Sequence, residues 1–341
     1  MSTQYFHYKE PFLLECGETL PEITIAYHTY GNPSAGGNNT VWVCHALTAS
    51  SNAADWWPGV IGEKGIIKPS NYFIVCANIL GSCYGTTGPG SLNPATGKPY
   101  YDDFPLITIR DMVKAHMLLR EYLGIEKIHL LMGGSMGGYQ ALEWCVLEKD
   151  RIDNLFLLAT SPAESAWGIA IHAAQRLAIE ADTSWKEHND KAGHKGLKAA
   201  RAIGMLTYRN YGIMVTKQTD PDPGKLDHFR AASYIEYQGE KLANRFHAYC
   251  YWLLTKAMDS HHLGRSRGGN LEPVLRNIPQ RTLIVGITSD ILCPMHEQIF
   301  LDHHIPGSVM VEIDSAYGHD GFMVEADKIG AVLKTWLPIK G

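Results

Sequence analysis

Short apolar runs alternate with amphipathic segments along the first half of the chain. Four of these runs have the length and composition of buried strands: residues 41–44, 72–78, 128–132 and 155–159. Thr108 and Asp111 form a capping-box pattern, which predicts an amphipathic helix that runs to about Leu123 and ends at Gly124. Continuously apolar strands that alternate with helices predict a mostly parallel sheet covered on both faces.

The pattern changes at about residue 162, where the strand signals stop. Helices are then predicted at residues 166–180, 196–208, 225–238 and 242–258, with a polar connector at 219–224. Strand patterns return at residues 282–286 and 309–313, and a last helix is predicted at 322–336. We therefore predict a core made of residues 1–161 and 274–341, into which residues 162–273 are inserted as a helical lid.

Composition and charge narrow the possible classes of protein. A chain of 341 residues can bury a large core, and its formal net charge of −5 argues against a nucleic-acid partner. The sequence contains no apolar run of membrane-spanning length and no basic and apolar signal-peptide pattern at its start, so we expect a cytoplasmic protein. The seven cysteines lack metal-binding spacing, which favours reduced core cysteines and no metal site.

The strand at residues 128–132 leads directly into the pattern Gly133-x-Ser135-x-Gly137, which is typical of a nucleophile elbow. A helix-like segment at residues 139–144 follows, as an elbow requires. Glycines on both sides relieve crowding in the sharp turn, and the helix directs backbone N–H groups towards the serine. The alternative is a glycine-rich turn with no catalytic serine. That alternative would not explain why an acid and a histidine follow later in the chain at the positions expected for a catalytic triad.

A serine nucleophile needs a general base that is oriented by a third group. In α/β-hydrolase folds the chain order is serine, acid, histidine, with both partners on loops after late strands. Asp290 follows the strand predicted at residues 282–286, and His319 follows the strand predicted at residues 309–313. These positions predict an α/β-hydrolase fold with Ser135, His319 and Asp290 as its catalytic triad.

Other residues compete for these roles. Asp302 and Asp314 lie close enough in sequence to Asp290 to be alternative acids. The chain has sixteen histidines. Several could suggest a metal site, but we interpret them as surface or loop histidines: His45, the pair at 261–262 and the pair at 303–304.

Acyl transfer also needs backbone N–H groups that stabilise an oxyanion. One donor is expected from the residue after the nucleophile, Met136. The second is expected from the loop that follows an earlier strand, and we assign it to the Leu47 N–H. The alternative for this second segment is an ordinary loop between a strand and a helix.

Several segments together resemble the homoserine O-acetyltransferase family. They are residues 44–48 (CHALT), 78–89 (NILGSCYGTTGP), 92–94 (LNP), 133–144 (GGSMGGYQALEW), 206–209 (LTYR), 234–239 (YIEYQG), 255–259 (TKAMD), 289–290 (SD) and 318–320 (GHD). The resemblance extends from about Tyr27 to Glu325. The chain departs from the family pattern at Ser82, at His247 and at Cys293, and the first two departures leave the acyl donor and acceptor open.

The resemblance implies a ping-pong reaction in methionine biosynthesis, with acetyl-CoA as co-substrate, L-homoserine as acceptor and no tightly bound cofactor. It also implies that Arg209 pairs with the carboxylate of homoserine and Asp320 with its ammonium. The alternatives are a lid salt bridge for Arg209 and a helix cap for Asp320. A homodimer packed through the lid is a further implication.

Three other functions compete with this interpretation. Succinyl-CoA could replace acetyl-CoA, or serine could replace homoserine. The same triad could also serve an esterase or a thioesterase, with water as the acceptor. A binding protein without activity is less favoured, because such a protein has no chemical need for an intact triad.

Overall fold

The computed structural model describes residues 2–337 of the chain. The strands in this range, numbered along the chain, are β1 (Gln4–Tyr8), β2 (Phe12–Leu13), β3 (Thr19–Leu20), β4 (Ile23–Tyr30), β5 (Thr40–Cys44), β6 (Phe73–Ala77), β7 (Ile128–Gly134), β8 (Ile152–Leu158), β9 (Arg281–Ile287) and β10 (Val309–Ile313). The main sheet has the order β1-β4-β6-β5-β7-β8-β9-β10. The pairs β1–β4 and β4–β6 are antiparallel and the remaining pairs are parallel. Strands β2 and β3 form a separate antiparallel pair.

Helices follow most of the parallel strands and fill the long segment between β8 and β9. The α-helices are α1 (Ala53–Trp56), α2 (Ile109–Tyr122), α3 (Met136–Leu147), α4 (Ala166–Glu180), α5 (His194–Tyr208), α6 (Tyr211–Gln218), α7 (Arg230–Ala243), α8 (Ala248–Asp259), α9 (Leu271–Arg276), α10 (Met295–His304), α11 (Gly321–Val324) and α12 (Ala326–Trp336). Within residues 2–337, no helix combines the length and apolar character needed to cross a membrane.

The sheet is covered on both faces, which strand β5 illustrates. All five of its residues are buried. Trp42 packs in one core cluster with Trp144 of α3, and their rings meet edge to face with centroids 4.9 Å apart. Val43, on the opposite face, packs in a second cluster that includes Leu333 of α12. Successive side chains of β5 point to opposite faces of the sheet, and both faces are buried. This explains why the sequence of the strand is continuously apolar.

The apolar runs of the sequence are strands of the sheet, and α2 begins with the predicted capping box, in which Thr108 and Asp111 bond each other's backbone. Gly124, with φ +65°, follows the end of that helix. Strands β1 and β4 were not predicted, because they mix polar and apolar side chains rather than forming an apolar run. The predicted last helix is divided at Glu325 into α11 and α12.

In the segment between β8 and β9, the start of α7 differs from the prediction and one further helix, α6, is present. Helix α7 begins at Arg230, not at residue 225, because the Asp220 carboxylate holds the preceding turn. That carboxylate accepts from Lys225 Nζ at 2.6 Å and from the Arg230 N–H at 2.9 Å. Helix α6 was not predicted. It begins after Asn210, whose side chain accepts the Gly212 N–H at 2.7 Å.

The break predicted between helices at residues 239–241 lies later in the chain, at residues 244–247. Helix α7 ends at Ala243 and α8 begins at Ala248. In the connection between α7 and α8, the Arg245 guanidinium donates to the carbonyl of Thr48, which lies in the loop after β5, at 2.7 Å. The interruption therefore brings a cation from this helical segment to the loop after β5.

Buried ion pairs fix helix α3, which begins directly after Ser135. The Glu143 side chain is only 4% exposed and accepts from Arg110 Nε at 2.6 Å. Arg267 donates to the second oxygen of the same carboxylate at 2.8 Å. Because a buried charge that loses its partner is strongly destabilising, these contacts tie α3 to α2 and to the chain that follows α8.

Candidate active site

Ser135 occupies a sharp turn between β7 and α3. Its backbone angles, φ 54° and ψ −129°, are rare for residues other than glycine. A Cβ at Gly137 would lie 2.1 Å from the Cys44 carbonyl oxygen, and one at Gly133 would lie 2.2 Å from the Gly137 carbonyl oxygen. The two glycines are therefore required by close backbone contacts. The turn presents the Ser135 hydroxyl at the carboxyl ends of the parallel strands.

The structure brings Ser135, His319 and Asp290 together. His319 Nε2 lies 2.9 Å from Ser135 Oγ, and His319 Nδ1 lies 2.7 Å from Asp290 Oδ2. The other oxygen of Asp290 accepts the backbone N–H groups of Leu292 and Cys293 at 2.8 and 2.9 Å. Both Asp290 and His319 are buried. Each carboxylate oxygen therefore has a fixed partner, and the imidazole has one orientation.

The two alternative acids are engaged elsewhere. Asp314 accepts the Thr288 hydroxyl at 3.2 Å, and Asp302 accepts the Ser308 hydroxyl at 2.7 Å. Neither aspartate is among the residues that contact His319 through hydrogen bonds in the described part of the chain.

The surroundings of His319 change its pKa. Burial alone would lower it, but the charge of Asp290 and its hydrogen bond to the ring raise the pKa above the usual 6.5. Asp320 and Glu164 act in the same direction. Nearby negative charge therefore stabilises the protonated form of the His319 ring.

Glu297 is a second carboxyl close to the triad. Burial, together with the negative charges of Glu164 and Asp290, raises its pKa to about 8. Glu297 is therefore mostly protonated at neutral pH. The sequence pattern gave no sign of this carboxyl, because its effect depends on contacts between distant segments.

The expected oxyanion donors lie on two segments that pack against each other. Gln140 Nε2, on α3, donates to the His45 carbonyl at 3.0 Å and to the Met136 carbonyl at 3.2 Å. Leu47 lines the same cavity as the Ser135 side chain. The loop after β5 is therefore held against the first turn of α3, where the Met136 N–H lies.

His45 and His261 lie in loops, as expected, but both are buried. His45 Nδ1 lies 2.9 Å from the Ala46 carbonyl, and Nε2 accepts the Ile79 N–H at 3.2 Å. Burial lowers the pKa of His45 to about 4 and that of His261 to about 3. His45 is thus a neutral side chain that connects the loops after β5 and β6.

Within residues 2–337, one group of three potential metal ligands lies close together: Asp290, Cys293 and His319, whose ligand atoms are all within 4.8 Å of one another. Two of its members are the acid and base paired with Ser135. Burial, with the negative charge of Asp290, raises the pKa of the Cys293 thiol well above its usual value, so this thiol is neutral.

Ser135 and His319 open into a cavity of about 530 Å³ that extends beneath the segment between β8 and β9. Arg201 and Tyr208, both on α5, line it, and the Arg201 guanidinium lies 5.0 Å from the centre of the Tyr208 ring. No carboxylate lies within 4.0 Å of Arg201 among residues 2–337. The sequence analysis missed Arg201. Its spacing of seven residues from Tyr208, two helical turns, was the available signal.

The predicted substrate residues Arg209 and Asp320 contact each other. Arg209 Nε lies 2.9 Å from Asp320 Oδ2, although the N–H is not aligned as a hydrogen bond. Asp320 lines the Ser135 cavity, whereas Arg209 lines a neighbouring cavity of about 250 Å³. The Asp320 side chain makes no capping hydrogen bond to α11.

A second buried histidine in the cavity was also missed. His172, on α4, lines the cavity, and its Nδ1 lies 2.9 Å from Asp259 Oδ1. Arg176 donates to the other oxygen of Asp259 at 2.6 Å. Residues 255–259 were recognised as family-like, but the sequence gave no indication that Asp259 orients a histidine across helices α4 and α8.

Comparison with known proteins agrees with this arrangement. A model of the alpha/beta hydrolase fold family matches residues 39–326. The homoserine O-acetyltransferase of Cyclobacterium marinum is 46% identical over 337 residues, which cover 98% of this chain and 95% of that relative.

Solved structures share the fold. Homoserine O-acetyltransferase from Bacillus anthracis superposes with a TM-score of 0.90 at 24% identity, covering 99% of this chain and 97% of that one. Esterase E22 superposes equally well, at 22% identity, covering 98% and 99%. These two similarities establish the fold and leave the reaction undecided. The full-length sequence identity is the stronger evidence, and the chain belongs to the homoserine O-acetyltransferase family of α/β-hydrolase-fold enzymes.

Proposed function

We propose that this chain transfers the acetyl group of acetyl-CoA to the hydroxyl of L-homoserine, through an acetyl-enzyme on Ser135. The observation that carries the proposal is that the Ser135 cavity also contains a guanidinium, Arg201, and a carboxylate, Asp320. An amino-acid acceptor carries the two opposite charges that such a pair binds, whereas water needs neither. The names of the similar relatives support the same reaction. The product would serve methionine biosynthesis in the cytoplasm.

In the first half-reaction, His319 Nε2 takes the proton of the Ser135 hydroxyl while Oγ attacks the thioester carbonyl. The tetrahedral oxyanion rests on the N–H groups of Leu47 and Met136. Its collapse breaks the carbon–sulfur bond, and the imidazolium of His319 gives its proton to the departing CoA thiolate. Asp290 keeps the imidazole in the required tautomer and stabilises its positive charge.

In the second half-reaction, His319 takes the proton of the homoserine hydroxyl, whose oxygen attacks the acetyl-serine carbonyl. The same N–H groups stabilise the oxyanion. Collapse releases O-acetylhomoserine, and His319 returns its proton to Ser135 Oγ. The segment at residues 162–273 would act as a lid that limits access of water to the acetyl-enzyme.

The geometry favours Arg201 over Arg209 as the partner of the homoserine carboxylate. Arg201 lines the Ser135 cavity and has no carboxylate partner within the described residues, so its guanidinium is available for a bidentate contact. Asp320 is placed to accept the homoserine ammonium, and Arg209 holds Asp320 from the other side. Arg209 would then contribute to acceptor binding indirectly.

The primary test is release of free CoA thiol from acetyl-CoA by the purified enzyme, with and without homoserine. We expect rapid release that depends on homoserine, with O-acetylhomoserine as the product. Ser135→Ala should reduce turnover by at least about 10⁴-fold and prevent acetylation of the protein, which mass spectrometry would detect.

Other results of the same assay would identify the competing functions. Release at the same rate without homoserine would indicate a thioesterase. Activity with succinyl-CoA in place of acetyl-CoA would identify a different acyl donor. Activity with serine in place of homoserine would identify a different acceptor. Restored growth of a bacterium that lacks homoserine acyltransferase, on medium without methionine, would test the proposed pathway.

The pH dependence of acetyl-enzyme formation tests the role of Asp290. The rate should rise with pH through an apparent pKa above 6.5, because only neutral His319 accepts the serine proton and the nearby carboxylates raise its pKa. In Asp290→Asn the charge of Asp290 is lost, while burial, which lowers the pKa of His319, remains, so the inflection should move to lower pH. The rate should fall about 10⁴-fold because the wrong tautomer is favoured.

Asp314→Asn is the matched control, since it removes an exposed carboxylate that bonds Thr288. Its rate and pH profile should remain within about twofold of the wild type, as expected for a surface change. A severe loss in Asp314→Asn combined with a mild loss in Asp290→Asn would reassign the catalytic acid.

The assignment of Arg201 predicts different effects for two arginine variants. Arg201→Gln should raise the KM for homoserine about ten- to a hundredfold, because a hydrogen bond to a charged group contributes about 1.5–3 kcal/mol. The rate of acetylation by acetyl-CoA should change little. Arg209→Gln should have a smaller effect on the KM. If Arg209→Gln is the more damaging variant for homoserine, the carboxylate partner is Arg209.

We also propose that two copies of the chain associate through the helical segment. Several large apolar side chains there are exposed: Leu206, Tyr211, Val215, Phe229 and Tyr237. Large apolar side chains that are exposed together in one segment are a feature of protein interfaces. Sedimentation equilibrium should give the mass of a dimer, and the double substitution of Leu206 and Tyr237 by aspartate should give a monomer. A wild-type monomer at micromolar concentration would contradict the proposal.

A further inference from the structure

A cavity of about 250 Å³ adjoins the Ser135 cavity and is rich in positive charge. Its charged lining residues are Arg201, Arg209, Lys241, Arg245 and Asp320. All but Arg209 also line the Ser135 cavity, so the two spaces are continuous. Four cations therefore surround one carboxylate at the outer end of a path that leads to the nucleophile.

These cations are only partly neutralised. Arg209 pairs with Asp320. Arg245 donates to the Thr48 carbonyl and to the Tyr84 hydroxyl, both of which are uncharged. Lys241 and Arg201 form no ion pair within residues 2–337. The Ser135 cavity adds one exposed carboxylate, Asp55. The shared space therefore keeps an excess of positive charge.

The position of Lys241 and Arg245 follows from the interruption between α7 and α8. Lys241 lies in the last turn of α7, and Arg245 lies in the connection just after it. Both residues are exposed, so their charged groups remain accessible from solvent.

We propose that this cation-lined cavity binds the phosphate groups of the CoA donor, with Lys241 and Arg245 as their main partners. The proposal rests on the proposed acetyl transfer. A homoserine molecule brings one carboxylate, for which Arg201 suffices. The donor brings a diphosphate and a phosphate monoester, whose several negative charges match the remaining cations. The thioester end would then lie at Ser135 and the phosphate end at the surface.

The test compares two donors that share the same thioester. Acetyl-CoA carries the phosphates, and acetyl-pantetheine lacks them. Lys241→Gln should lower kcat/KM of acetylation for acetyl-CoA about tenfold, because it removes a charge-assisted contact. The value for acetyl-pantetheine should not change. In the wild type, the ratio of kcat/KM for acetyl-CoA to that for acetyl-pantetheine should fall as ionic strength rises. In Lys241→Gln this ratio should fall less steeply.

Lys195→Gln is the control, since Lys195 is an exposed lysine of α5 outside both cavities. It should alter neither donor. Arg245→Gln is less decisive, because Arg245 also holds Thr48 and its loss can slow both donors. An equal loss with both donors in Lys241→Gln, or no loss with either, would overturn the proposal.

Calorimetric titration with CoA and with pantetheine separates this proposal from the proposed reaction. Tighter binding of CoA, reduced about tenfold by Lys241→Gln, would establish the phosphate site even if homoserine is not the acceptor. Equal binding of CoA and pantetheine would remove the phosphate site while leaving transfer to homoserine possible.

Discussion

The strained backbone at Ser135 is the constraint on which the site depends. Its φ of 54° is held by contacts on both sides: the Ser135 N–H donates to the Leu158 carbonyl, and its own carbonyl accepts from Gly138 and from the Thr160 hydroxyl. Gly137 allows the end of β5 to approach the turn within contact distance, and Gly133 allows the turn to close on the start of α3. Gln140 holds the segment before Leu47 against the first turn of α3, so the proposed oxyanion donors and the nucleophile would depend on the same turn.

The remaining members of the triad depend on the sheet. Strands β9 and β10 are parallel neighbours, so the loops that follow them open at the same edge as the turn at Ser135. Asp290 uses one oxygen for two backbone N–H groups of its own loop, which leaves the other oxygen for His319. At Gly318, with φ +64°, a Cβ would lie 2.9 Å from the Tyr208 carbonyl. The histidine loop therefore packs directly against the end of α5.

The sequence predicted what is encoded locally. The elbow, the capping box at Thr108 and the apolar strands are short patterns, and the chain order of serine, acid and histidine follows from the fold class. The sequence analysis did not identify Arg201, the orientation of His172 by Asp259, or the raised pKa of Glu297. Each of these depends on contacts between segments that are distant in sequence. The break between α7 and α8 was predicted, but at residues 239–241 and not at 244–247, where the Arg245–Thr48 contact joins residues 197 positions apart.

The structural similarity to an esterase indicates that the fold alone does not determine the acyl acceptor. Esterase E22 shares the fold over almost the whole chain at 22% identity, so the fold cannot distinguish a transferase from a hydrolase. An arrangement such as that of Ser135, His319 and Asp290 is chemically suited to acylation of serine, whether the acceptor is an alcohol or water. The acceptor must therefore be selected by side chains outside them, in the cavity shared with the helical segment. There, Arg201 and Asp320 offer opposite charges near Ser135, and water gains nothing from that pair. The difference between transfer and hydrolysis would thus come from a charge that α5 adds, Arg201, together with Asp320 beside His319.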